Sequence, residues 1–121
     1  MGVLVTVSKE IIEKIKSGEK KVEFRKKWTK KIVNTIYFCQ KSSHGLIPIK
    51  ASLEKVEFLD KNIAWRYYKE LSGVDSVEYF EYLKEKQSVF CLTLSSVEEL
   101  IGRDIEDFGF LTAPQNYYIL R

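Results

Sequence analysis

Apolar and polar positions along the chain change period several times, and each change predicts an element. The run "GVLVTV" is β-branched and of strand length, and Ser8 follows it as a helix N-cap whose hydroxyl can accept an orphan backbone amide. Ile11, Ile12 and Ile15 then share one apolar face while Lys9, Glu13 and Lys16 point away, and Gly18 supplies a left-handed stop. Past Gly18, "KKVEFR" alternates, with Val22 and Phe24 on one face and Lys21, Glu23 and Arg25 on the other. It reads as a half-buried strand whose charged side looks outward. "FRKKWTKK" reads as a loop, and "IVNTIYFCQ" and "LIPIKASLEKVEFL" as two longer strands separated by the turn chemistry of "KSSHG".

From Lys61 the period becomes helical. Ile63, Ala64, Tyr67 and Leu71 form one stripe, Trp65 and Tyr68 another, and Gly73 closes the helix. "DSVE" at Asp75 has the form of a capping box with Glu78, and Val77, Phe80 and Leu83 mark the inner face of the next helix. "SVFCLTL" returns to strand, and "NYYIL" is the last one. Between them "SSVEEL" fits either a helix cap or a continued strand. "RDIEDFG" fits a helical turn or two ended by Gly109, and Pro114 forces an extended entry into the final strand. The pattern implies an α+β fold, a small mixed-strand barrel of about five or six strands with helices packed outside.

A chain of 121 residues with 45% hydrophobic content can bury one compact core, so a single domain over 1–121 is expected. No apolar run is long enough to span a bilayer, and Met1 to Ser8 is too short for a secretory leader, which points to a cytoplasmic protein with no membrane partner. Cys39 and Cys91 each sit in an apolar run and are expected as buried, reduced thiols. The net charge of +3 is unevenly spread: Lys14 to Lys31 carries nine Lys or Arg against two Glu, a local balance of +7, which leaves −4 for the remainder. Such a patch attracts a polyanion locally while the rest of the surface discourages coating. His44 is the only histidine, and no cysteine cluster accompanies it, so neither a metal nor another cofactor is expected. Glu98, Glu99, Asp104, Glu106 and Asp107 read as a solvated acidic face.

"GEKKVEFR" matches the G-x-K-x-x-E-x-R signature of the ASCH domain, a member of the PUA-like superfamily, with Gly18, Lys20, Glu23 and Arg25 in the signature places. The chain resembles that family further in a Trp-bearing helix followed by "SGV", a second helix ending near "FEYL", the "DFG" segment and the terminal "APQNYYIL". The resemblance implies a β-barrel with a cleft beside the signature strand and a role in binding RNA or a nucleoside. Some relatives bind RNA in translation or transcription, some cleave it, and some deacylate modified cytidine. The deacylases use the signature lysine and a threonine two residues before the arginine. This chain has Glu23 in the threonine's place, which counts against a simple transfer of that chemistry.

On an outward strand face Glu23 and Arg25 would stand about 7 Å apart. There the planar fork of Arg25 can grip a phosphate or a base edge, and Glu23 can accept from an exocyclic amino group or a ribose hydroxyl. The plain alternative is a surface ion pair of little energetic weight. Strict alternation groups Lys21 with these two residues, whereas the motif favours Lys20, a candidate base or nucleophile if shielded from water. Lys26, Lys27, Trp28, Lys30 and Lys31 form a basic loop in which the lysines attract phosphates and an exposed Trp28 would stack on an unpaired base; otherwise Trp28 folds inward as a lid. Trp65 is expected to pack against the barrel. Gln115, beside Pro114, offers one donor and one acceptor for reading a base, a place that the family likeness puts near the cleft. Three functions compete. One is an RNA- or nucleotide-binding module, acting in regulation of transcription or translation. Another is an enzyme of the same fold, a ribonuclease or an amidohydrolase of an N-acylated cytidine-type nucleoside, with Lys20 and Glu23 handling the proton. The third is a regulatory module whose basic face meets an acidic protein partner.

Overall fold

The computed structural model describes residues 1–120. Six strands and three helices follow one another as β1 (Gly2–Val7), α1 (Lys9–Ser17), β2 (Val22–Arg25), β3 (Thr35–Gln40), β4 (Ile49–Asp60), α2 (Lys61–Tyr68), α3 (Ser76–Tyr82), β5 (Ser88–Glu99) and β6 (Tyr118–Leu120), with short 3-10 turns at Lys69–Leu71 and Ile105–Phe108. The strands form one mixed sheet in the order β2-β5-β4-β3-β1-β6. The fold is α+β as expected. β1 and β3 run parallel while the other pairs are antiparallel. The sheet is not closed by backbone pairing: β2 and β6 are its two edges.

Local chemistry accounts for most boundaries. Ser8 caps α1 by accepting from the amide of Ile11, and Gly18 ends it at φ +85°. Asp75 caps α3 through the amide of Glu78, and Gly109 closes the last 3-10 turn. The ambiguous "SSVEEL" continues β5, with Ser96 at φ +48° marking an irregularity in the strand. Strand pairing with β4 overrides the local helix-cap signal there.

Two apolar clusters sandwich the sheet beside β2. The main core joins α1 to β1, β3, β4 and β5 and includes Leu92 and Leu94, while a second cluster joins Val22, Phe24 and Cys91 to Ala64, Tyr79 and Leu83 under α2 and α3. Trp65 stacks on Tyr79 within that second cluster, as expected. The expected inner face of α3 is corrected: Val77 is largely exposed and Tyr79 is buried in its place. Cys39 and Cys91 are free and buried. Among the described residues no helix is long and apolar enough to cross a membrane.

Candidate functional site

Register decides where the charged face of β2 turns. Glu23 pairs with Leu92 of the main core, and Phe24 pairs with Cys91 of the helix-side cluster. Side chains opposite each other in a ladder share a face, so Glu23 and Arg25 turn toward the main-core side while Val22 and Phe24 pack beneath α2 and α3. The outward, half-buried reading of this strand is therefore corrected. Both faces are covered, and Glu23 is only 8% exposed.

A buried carboxylate requires compensation, and Glu23 has it on both oxygens. Lys20 Nζ is 3.2 Å from Oε1, and Arg25 Nε is 2.9 Å from Oε2. The Glu23–Arg25 contact, whose plain alternative from sequence is a surface ion pair, is part of a buried three-member chain. Burial by itself raises the pKa of Glu23, but Lys20 and Arg25 outweigh it and hold the carboxyl below its usual value.

Lys20 precedes β2 and so escapes its alternation. Its amide donates to the carbonyl of Lys14 at the end of α1, and the side chain, 2% exposed, swings to Glu23. Nζ also donates to the carbonyl of Ser72 at 2.5 Å. Gly73 makes room for this stem: at φ +68° any other side chain would be strained, and a Cβ there would stand 3.0 Å from Cβ of Lys20. Arg25 reaches the other way, its Nη2 donating to the carbonyl of Thr6 on β1 at 3.2 Å.

Lys20 and Glu23 line a cleft of about 510 Å³, walled by Ile11 of α1, by Val74 and by Tyr79 and Tyr82 of α3. Arg25, Lys26, Lys27 and Gln115 line a smaller depression of about 280 Å³ together with Tyr82 and Asn116. Sequence-derived candidates are thus brought together in two adjoining groups. Lys21 belongs to neither: exposed, it uses its backbone to bond Leu71 and Leu94. Trp28 is also corrected as a stacking residue, because it is 8% exposed and packs on Tyr117 within the main core. Its large apolar ring is drawn inward from a loop otherwise rich in lysine. Tyr82, Ser72 and Thr6 were not legible as site residues. The quoted "FEYL" and "SGV" contain two of them, but nothing in their spacing points to a cleft. Among the described residues no cluster of three or more His, Cys, Asp or Glu side chains is placed to hold a metal.

No protein-family model matches the sequence, and no curated protein matches it. Solved structures do. The ASCH protein from Zymomonas mobilis superposes with a TM-score of 0.89 at 20% identity, covering 99% of this chain and 87% of that one. A serine-to-alanine mutant of the same protein gives 0.89 at 19% identity over 99% and 88%. The chain has the ASCH fold. A hypothetical protein of known structure shares it more loosely, with a TM-score of 0.57 and 23% identity over 83% of this chain and all of that one. In this ASCH fold the signature positions Gly18, Lys20, Glu23 and Arg25 form one contiguous unit: a helix stop, then three charges joined through Glu23.

Proposed function

We propose that this ASCH-fold chain binds RNA or a nucleotide-like ligand in the cleft lined by Lys20 and Glu23, with the adjoining cationic depression receiving the backbone. The observation that carries the reading is the charged chain itself. Lys20 and Glu23 line the larger cleft, and Glu23 is joined to Arg25, which lines the adjoining depression with Lys26 and Lys27. These two lysines have no carboxylate within ion-pair distance among the described residues. Preorganised polar groups next to unpaired cations suit a ligand that carries both base edges and phosphates. The same cleft supports a second reading, hydrolysis of RNA or of an N-acylated cytidine-type nucleoside, because Lys20 and Glu23 face it together. A Glu23 carboxyl held below its usual range is a poor proton acceptor at neutral pH, which favours binding over catalysis.

Fluorescence anisotropy of a labelled single-stranded RNA, followed by a denaturing gel, separates the readings. Wild type should bind intact RNA with an affinity that falls as salt rises, and Lys27→Ala and Arg25→Ala should bind more weakly with a shallower salt slope. Wild-type affinity in both variants would refute the site, and cleaved RNA would establish the hydrolytic reading.

A further inference from the structure

Tyr82 alone lines both depressions, and the two differ in chemistry. The larger has apolar walls at Ile11, Phe24, Val74 and Tyr79, and its polar lining mixes both signs, Lys20 and Lys41 with Glu23 and Glu78. The smaller is lined by three cations, two side-chain amides and no carboxylate. Tyr82 is fixed between them: its hydroxyl accepts from the amide of Lys26 at 3.3 Å, and Lys26 Nζ stands 4.6 Å from the ring centroid. Tyr82 as a residue remains 40% exposed.

We propose that the site takes a phosphorylated nucleotide in two compartments, the base in the larger cleft against Tyr82 and the phosphate in the smaller depression on Arg25, Lys26 and Lys27. A flat aromatic base gains from apolar walls and from a ring already held in place. A phosphate gains from clustered cations and from the amides of Gln115 and Asn116. No carboxylate lines the depression, and the nearby Glu23 is already engaged by Lys20 and Arg25. The inference rests on the nucleotide-binding reading above and goes further in two respects. It requires the phosphate, and it gives to Tyr82 the stacking role that the buried Trp28 does not fill. Arg25 is the hinge of the arrangement, since it touches Glu23 of the cleft floor and also lines the phosphate compartment.

Isothermal titration of wild type, Lys27→Ala and Tyr82→Leu with the four ribonucleosides, their 5′-monophosphates and a single-stranded RNA tests it. At least one monophosphate should bind wild type about tenfold more tightly than its nucleoside, and that gain should fall to about threefold or less in Lys27→Ala. Tyr82→Leu should weaken the nucleoside itself about fivefold or more through loss of the stacking ring, and a nucleoside bound as tightly as by wild type overturns the stacking role. A gain that persists undiminished in Lys27→Ala overturns the placement of the phosphate. Monophosphate and nucleoside of equal affinity, with RNA still bound, overturn the two-compartment site while the RNA-binding reading stands. Failure of all three ligands to bind wild type overturns both.

Discussion

Burial pushes the Glu23 pKa upward, but Lys20 and Arg25 reverse that, so the folded protein holds this carboxyl below its usual value. A group depressed on folding stabilises the fold fully above its unfolded pKa, and the stabilisation disappears as pH falls through the folded pKa. Glu23→Gln removes the anion and leaves Lys20 and Arg25 facing each other without it. The expected cost at neutral pH is about 3–5 kcal/mol, the scale of breaking a buried pair from one side. On acidification wild type loses this contribution and the variant does not, so their stabilities should converge. Urea unfolding across the acid range checks it, and a gap that stays constant with pH would refute the electrostatic role. Sequence showed that Glu23 and Arg25 share a face. It did not show that the face is buried, because alternation sorts residues between two sides without saying what covers each.

The elements around the site are joined through one turn, at Ser72 and Gly73. Lys14 of α1 donates to the carbonyl of Gly73 at 2.7 Å and Lys20, just past the helix, to that of Ser72, so two lysines on either side of the Gly18 stop hold the segment that leads into α3. Gly73→Ala would meet both an unfavourable positive φ and the Lys20 stem. We expect a loss of about 1 kcal/mol or more in stability together with displacement of Lys20 from Glu23. Thermal unfolding measures the first and RNA affinity the second; a variant that matches wild type in both would show that the turn does not position the site. At this scale the sequence was most legible where caps speak locally, as at Ser8, Asp75 and Gly109. It was less legible where partners decide. Tyr79 rather than Val77 became the inner residue of α3 because Phe24, Trp65 and Phe80 all offer their rings to it.

For the whole molecule the decisive feature is a sheet whose two edges stay unpaired with each other. Expecting a barrel from strand count and helix placement captured the six strands and the α+β layering, but closure depends on side chains that periodicity does not report. Two contacts cross the region beyond the short β6: Arg25 Nη2 donates to the carbonyl of Thr6, and the Thr6 hydroxyl donates to the carbonyl of Pro114 at 2.9 Å. Arg25 therefore ties the edge strand β2 to β1 while it neutralises Glu23. Arg25 reaches the two partners from different nitrogens of its fork, Nε to Glu23 and Nη2 to Thr6, and a lysine there retains the charge but offers a single ammonium and gives up one of them. Arg25→Lys should cost about 1.5–3 kcal/mol, the range for a charge-assisted hydrogen bond. The loss should be localised: amide exchange should accelerate along β2 and at the C-terminal end of β1 before it does so in β3 and β4, which have neighbours on both sides. Uniform acceleration over the whole sheet would mean that Arg25 contributes to global stability without closing this seam, and unchanged exchange would mean that the seam needs no side chain to hold it.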